Sequence, residues 1–195
     1  MSGNGQKMNL LREYIRKLIN EAFPFEGGDK MRIHHSRPGT RVGVKPQIGG
    51  FSQKVGRKPE GLWYECKDGS TVDWLEFCNT GLTDGASRYD SSYDVILNDY
   101  EILFITNNDD FKKFEKMYGI PNPQYPDEVK IDWPKVASQY GGIEICPYLH
   151  DQRMDSDWYY SWDVASGCVW NASGIKELIN TGEDCKDDKE ITQRI

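Results

Sequence analysis

The sequence predicts an α+β fold with a mixed or antiparallel central sheet, short flanking helices and an N-terminal amphipathic helix. Short apolar or aromatic runs typical of strands alternate with short helical segments, with turn signals between them. The chain of 195 residues is 37% hydrophobic and 12% aromatic, so the core is expected to be built around Trp, Tyr and Phe rings. This length suits one globular domain, or a domain with an added segment.

Three segments are expected along the chain. Residues 25–180 form the α+β domain, residues 1–24 precede it as a helical segment, and residues 181–195 follow it as an acidic tail. The helix is predicted over residues 8–22, where apolar residues recur at helical spacing until Pro24 ends the pattern.

The first half of the domain contains a long loop between short elements. Residues 37–59 are rich in Gly, Pro and Lys, and loops of this length are usually functional or disordered. The predicted elements are a strand in "KMRIHHS" (30–36), the loop 37–59, a strand in "GLWYEC" (61–66), a short helix in "TVDWLEFCNTG" (71–81), and strands in "YDVILN" (93–98) and "EILFIT" (101–106), the last of them central.

Two helices in the second half are marked by their end signals. One begins with Asn and Asp caps and ends at Gly119, and the other has Asp132 as its cap, Pro134 in its first turn and Gly141 as its end. The predicted elements are helices over 107–119 and 131–142, a strand in "IEICPY" (143–148), a polar loop over 149–157, one or two strands within 158–171 and a small helix in "SGIKELINTG" (173–182).

Composition and motifs exclude several classes of protein. No apolar run approaches the roughly 18 residues of a membrane span. The five cysteines are odd in number and form no CxxC pair, which favours free thiols in a reducing compartment over a disulfide framework or a structural zinc site. The sequence also lacks GxGxxG, GxxxxGK[ST], GxSxG and HExxH patterns. We therefore expect a cytoplasmic protein without a metal site.

Positive charge is concentrated in one stretch of the chain. Eight cations and no acids lie between Lys30 and Lys58, and subtracting these eight from the net charge of −7 leaves −15 for the rest. This asymmetry predicts that the 37–59 loop is mobile without ligand and contacts the phosphates of a nucleotide or nucleic acid. The alternative is a loop that only increases solubility.

Polar residues within apolar strand contexts are candidates for chemistry. They are His34 or His35, Glu144 and Asp163. Asp163 is the first choice as a functional acid, because a carboxylate among the rings of "WYYSWDVASGCVW" is costly to bury without a partner. It could equally cap a turn or pair with an Arg, and Glu144 could point to solvent.

The order of these features resembles the ADP-ribosyltransferase superfamily, in the branch similar to poly(ADP-ribose) polymerases. "IHHS", "KPEGLWYE", a central strand and an acid near a late strand follow one another over roughly residues 31–170. In that branch a strand reads Gly-aliphatic-Tyr-aromatic, and its Tyr stacks on nicotinamide. The segment from Gly61 to Tyr64 has this form, with Trp63 in the place of the stacking Tyr.

The resemblance implies that NAD⁺ is the substrate. Nicotinamide would stack on Trp63, and Asp163 or Glu144 would favour positive charge on the ribose as nicotinamide leaves. Attack by a protein or nucleic acid gives a mono-ADP-ribosyltransferase, and attack by water gives an NAD glycohydrolase. The implied NAD-binding residues are His34, His35, Gly61, Trp63 and Tyr64, with Arg57 and Lys58 on the pyrophosphate, and His34 also has a catalytic role.

Two other functions are open at this stage. One is a non-catalytic binding module, in which the basic 30–58 stretch contacts nucleic acid or protein and the 8–22 helix docks on a partner. The other is a thiol hydrolase that uses Cys168 together with His34, His35 or His150. No membrane partner is expected.

Overall fold

The computed structural model describes residues 30–37, 51–69, 71–80, 89–125 and 128–181. The predicted amphipathic helix over residues 8–22, residues 38–50 of the predicted basic loop and the predicted tail after residue 181 lie outside these ranges. None of the helices within the described ranges is long and apolar enough to cross a bilayer.

Within these ranges the chain forms a seven-stranded sheet, a two-stranded sheet and four short helices. The strands are β1 Met31–Ser36, β2 Leu62–Lys67, β3 Ser91–Leu97, β4 Ile102–Ile105, β5 Gly119–Pro121, β6 Val129–Ile131, β7 Gly142–Ile145, β8 Ser166–Val169 and β9 Ile175–Asn180. The helices are α1 Trp74–Cys78, α2 Asn108–Tyr118, α3 Trp133–Ala137 and α4 His150–Asp155. Single 3₁₀ turns occupy Asp99–Glu101, Tyr159–Ser161 and Ala172–Gly174.

The large sheet confirms the predicted α+β class and its mostly antiparallel character. Its strand order is β4-β7-β8-β2-β1-β3-β9, and only the β4–β7 pair is parallel. The prediction that "EILFIT" is central is wrong, because β4 ends this order. The side chains of Ile102, Leu103 and Ile105 are nevertheless buried. An apolar run therefore indicates that both faces of a strand are packed against other residues. It does not reveal whether the strand lies at the centre or at the edge of the sheet.

An aromatic core covers the face of the sheet on which α2 and α3 pack. The rings of Phe111 and Trp158 stack with centroids 4.9 Å apart and planes within 9° of parallel. Trp133, Trp158 and Trp162 are almost completely buried in the same cluster. Offset and edge-to-face ring pairs of this kind add stability beyond the area that they bury. The expectation of a ring-based core is thus confirmed.

Two segments have a different structure from the predicted one. The predicted polar loop over 149–157 contains helix α4. At the end of this helix the backbone N–H of Ser156 donates a hydrogen bond to the carbonyl oxygen of Gln152. The predicted small helix over 173–182 contains strand β9, which pairs antiparallel with β3 and buries Leu178 opposite Val95. The apolar residues of "IKELIN" suit a helix locally, but the edge of β3 offers a hydrogen-bonded partner strand.

The expectation of free thiols is wrong for two cysteines. Cys66 at the end of β2 and Cys146 directly after β7 form a disulfide, with Cα atoms 6.3 Å apart. The two residues are 80 positions apart in sequence, so spacing patterns could not reveal that the sheet brings them together. This disulfide removes the thiol-based argument for a reducing compartment.

A buried ion pair joins β1 to β7 across the two strands between them. The guanidinium of Arg32 donates to both oxygens of Glu144, at 2.5 and 3.1 Å, and the Tyr64 hydroxyl donates to the same carboxylate at 3.0 Å. Burial and the neighbouring Glu144 carboxylate raise the pKa of Tyr64 well above its ordinary value, so the hydroxyl keeps its proton. Tyr64 crosses Gly167, where an added Cβ would overlap the hydroxyl.

The close approach at Gly167 gives a first prediction. Replacing Gly167 by Ala should lower the free energy of unfolding by about 3 kcal/mol or more, because the methyl group displaces Tyr64 from the buried ion pair. Gly56→Ala is the matched control, since its new Cβ would meet its nearest neighbours only at 3.9 Å, and it should cost less than about 0.5 kcal/mol. Urea denaturation of both variants measures the difference. Equal losses would show that the Tyr64 contact is not the cause.

Candidate functional site

A cleft of about 280 Å³ opens beside β1 and β2, on the face opposite the Arg32–Glu144 ion pair. Alternation along β2 creates this division, since Tyr64 points to the ion pair whereas Trp63 and Glu65 point the other way. Residues from α1 and from the segment before β8 complete the walls. The cleft thus gathers side chains from distant parts of the sequence.

Aromatic rings form two sides of the cleft. On one side the ring of Trp63 meets that of Trp162 edge to face, with centroids 4.8 Å apart. On the other side Trp74, the first residue of α1, meets Tyr89 edge to face at 6.5 Å. Trp63 is only half-buried, so it is not part of a closed core. Two aromatic sides suit a flat ligand that slides between rings.

The indole N–H of Trp162 is a buried donor without an acceptor in the described part of the chain. Leaving such a donor unsatisfied costs about 1–3 kcal/mol. Trp162 lines the cleft, so the unsatisfied donor belongs to a residue of the candidate site.

A buried histidine–carboxylate pair forms the polar floor of the cleft. Nε2 of His35 lies 2.9 Å from Oε1 of Glu65, and Nδ1 lies 3.0 Å from the hydroxyl oxygen of Ser92. Because an ionised carboxylate only accepts hydrogen bonds, Nε2 carries the proton. The backbone N–H of Trp74 donates to the other oxygen, Oε2, at 2.6 Å. The Glu65 side chain is only 2% exposed, and its two carboxylate oxygens are held from β1 and from α1.

Charged groups of both signs stand at the rim. The Lys58 ammonium lies 5.3 Å from the centre of the Trp63 ring, a cation–π contact. Partial burial of the ammonium lowers the pKa of Lys58, and the negative charge of Asp163 partly opposes this shift. Much of the Lys58 side chain is nevertheless exposed. Oδ1 of Asp163 accepts a hydrogen bond from Arg153 at 3.2 Å. The protein therefore places one of its own cations against an aromatic face of the cleft.

The cleft brings together six of the nine residues singled out in the sequence. These are His35, Lys58, Trp63 and Asp163, together with His34 and Tyr64, which border the cleft but whose side chains point to the ion-pair face by strand alternation. The two histidines have different partners: Nδ1 of His34 lies 2.7 Å from the Trp63 carbonyl oxygen, whereas His35 bonds Glu65.

The other three predicted residues lie away from the cleft, each for a clear physical reason. Glu144 is held by Arg32 on the opposite face, so it does not point to solvent either. Arg57 forms two hydrogen bonds with Asp157, at 2.7 and 2.8 Å. A Cβ on Gly61 would overlap the Val169 carbonyl of the neighbouring strand, so this glycine serves strand packing.

Sequence reasoning missed Glu65 and most of the aromatic lining. Glu65 lies two positions after Trp63, and the period of a strand puts both on one face, so this signal was present in "LWYEC". Trp74, Tyr89 and Trp162 had no comparable signal, since their meeting depends on how α1 and the loop before β8 pack.

Cys168, Cys66 and Cys146, the cysteines of the described sheet, do not form a reactive centre. Burial raises the pKa of Cys168 well above its ordinary value, and its thiol lies 3.9 Å from the Pro59 carbonyl oxygen. A nucleophilic thiolate needs the opposite environment. Sulfur and carboxylate atoms of Cys66, Cys146 and Glu144 lie within 4.8 Å of one another, but the disulfide uses both sulfurs and Arg32 holds the carboxylate. Neither thiol chemistry nor metal binding is favoured here.

Comparison with family models, with curated proteins and with solved structures finds no match for this chain. Its function must therefore be argued from the chemistry of the cleft.

The environment of His34 gives a prediction on pH. Burial lowers the pKa of His34 below its ordinary value of 6.5, although its bond to the Trp63 carbonyl partly offsets this. Below pH 6.5 the unfolded chain binds a proton that the folded chain does not, so this histidine makes the free energy of unfolding fall as the pH decreases. Urea denaturation between pH 7.5 and 5 should show a shallower decline for His34→Asn, whose amide can still donate to the carbonyl.

His150→Asn is the matched control, because His150 is exposed at the start of α4. Its pH dependence should follow that of the unsubstituted protein. An identical decline in all three proteins would contradict the assignment to His34.

Proposed function

We propose that the protein is an NAD⁺-dependent ADP-ribosyltransferase, or a related NAD glycohydrolase, that holds the nicotinamide ribose portion of NAD⁺ in the cleft. One observation carries the proposal: a single cleft combines the Trp63 ring face, the His35 side chain and the Asp163 carboxylate. A flat ring, a sugar and a developing positive charge need these three kinds of group. The sequence resemblance described above points to the same chemistry.

Binding would exchange one cation for another on the Trp63 ring. Lys58 rests against this ring without ligand, and the positively charged nicotinamide ring is flat and therefore makes a larger contact with the indole. Once displaced, the Lys58 ammonium can reach the pyrophosphate, where charge-assisted hydrogen bonds favour it. Lys58 is thus assigned to the phosphates and Trp63 to nicotinamide.

Asp163 would act on the sugar as the bond to nicotinamide breaks. The electron pair of the bond between ribose C1′ and the ring nitrogen moves to nicotinamide, which leaves neutral, and positive charge develops on the sugar. A carboxylate with only 23% of its side chain exposed stabilises such charge more strongly than one in water. An acceptor hydroxyl or water then bonds to C1′ through its oxygen, and its proton passes to solvent water.

The binding-module alternative receives less support from the described cations. Two of the described cations of the 30–58 stretch, Arg32 and Arg57, pair with acids of the protein itself, so these two do not offer a free charge to a phosphate backbone. All four rings at the cleft belong to edge-to-face pairs within its walls, whereas stacking platforms for single-stranded nucleic acid present a row of open ring faces. A nucleic acid remains a candidate acceptor for the transferred group.

Release of nicotinamide from NAD⁺ by the purified protein tests the proposed function. Asp163→Asn should slow this release by about 10²-fold or more, because it removes a charge that acts in the transition state. Asp157→Asn is the matched control, since Asp157 pairs with Arg57 outside the cleft, and it should retain full activity. The outcome that would overturn the proposal is a folded wild-type protein that neither binds NAD⁺ nor releases nicotinamide.

The role of Trp63 is tested separately by binding. Trp63→Leu should weaken NAD⁺ binding by about 1–3 kcal/mol, the usual value of stacking a base on an aromatic side chain, whereas Trp63→Phe should lose less. Calorimetric titration of both variants measures this difference. Equal affinities for Trp63→Leu and the wild type would show that nicotinamide does not stack there.

A further inference from the structure

We propose that the cleft is a selective site for planar organic cations, in which Lys58 is a resident cation that the ligand replaces and Glu65 is the fixed counter-charge. The proposal rests on the proposed function and extends it, because it concerns which ring charge the cleft accepts. It predicts that a positively charged pyridinium ring binds and that a neutral ring of the same shape binds poorly.

The aromatic walls supply the first argument. Trp63, Trp162, Trp74 and Tyr89 border one cavity, and the faces of Trp and Tyr rings attract cations through their quadrupoles. Several aromatic rings around one small space are the arrangement by which proteins recognise quaternary ammonium groups. The cavity is therefore suited to positive charge before any carboxylate is considered.

The floor supplies the second argument. Glu65 is almost completely buried and is held by Nε2 of His35 and the backbone N–H of Trp74. Its orientation does not depend on ligand, so it offers a preorganised negative charge. Lys67 lies 3.7 Å from one oxygen of Glu65, but it does not line the cleft and its side chain is 37% exposed, which weakens its effect through solvent screening.

Lys58 supplies the third argument, because the protein already places a cation where the ligand would bind. Its ammonium sits over the Trp63 ring, and the Asp163 carboxylate lines the same cleft. When Lys58 moves away, the acids that line the cleft are Glu65 and Asp163, and Asp163 remains paired with Arg153. Once the Lys58 ammonium has left the Trp63 ring, the cleft favours the binding of another cation in its place.

The test compares two ligands of nearly equal shape, 1-methylnicotinamide, which is a cation, and nicotinamide, which is neutral. Fluorescence titration at low salt should give at least tenfold tighter binding of the cation, as expected for a desolvated cation–π site. In Glu65→Gln this preference should fall to threefold or less. Glu60→Gln is the matched control, because Glu60 is exposed and does not line the cleft, and it should keep the preference.

A second variant keeps the test decisive if Glu65→Gln does not fold. Lys58→Gln removes the resident cation from an exposed position, so it should bind 1-methylnicotinamide at least threefold more tightly while it binds NAD⁺ more weakly. Lys54→Gln, an exposed cation of the same segment outside the cleft, should change neither affinity. Tighter binding after loss of Lys58 is not expected from a merely structural lysine.

The outcomes separate this inference from the proposed function. Equal affinity of the wild type for the two ligands, or weaker binding of 1-methylnicotinamide by Lys58→Gln, overturns the cation site even if NAD⁺ is cleaved. Selective binding of the cation without any nicotinamide release from NAD⁺ supports the site and overturns the proposed catalytic function.

Discussion

The buried contact between Arg32, Glu144 and Tyr64 fixes the register on which the cleft depends. Glu144, Gly167 and Tyr64 are successive partners across β7, β8 and β2, and Arg32 reaches the same carboxylate from β1. Because side chains alternate along a strand, holding Tyr64 on this face sends its neighbours to the other face. A slip of one residue would direct Tyr64 into the cleft and bury Trp63 in its place, so the ion pair determines where the site lies.

Packed aromatic rings make the other face of the seven-stranded sheet, on which the cleft lies, rigid. Phe111 stacks on Trp158, and Trp158 contacts Trp162, whose ring then meets Trp63. The chain of contacts runs from helix α2 to the wall of the cleft without a gap. A close-packed interior of this kind holds side chains in single rotamers, which suits a site that selects ligands by charge and not by adapting its shape.

Local patterns revealed most of the strands and helices but not their arrangement. Strand β2 and helix α2 could be predicted because their ring-rich run and end caps are local signals. Strand β9 could not, since its six residues suit either a helix or a strand and the partner β3 decides.

The same distinction holds for the candidate site. Trp63, Lys58 and Asp163 could be chosen from sequence because each is unusual in its surroundings. The environment of Glu144 and the pairing of Cys66 with Cys146 depend on neighbours far away in sequence. Glu65 is the instructive case, because the two-residue period of β2 placed it beside Trp63, yet only the three-dimensional contacts with His35 and Trp74 reveal it as the floor of the cleft.

The link between Cys66 and Cys146 also has a topological consequence. It closes a covalent ring that encloses β3 to β7, including the exposed turn after β5 where Tyr125 lies. A protease that cuts the backbone in this turn would leave two pieces still joined through sulfur. The cut protein would migrate as one species without reductant and separate into two fragments with it, so the ends of β2 and β7 would stay adjacent after the backbone between them was broken.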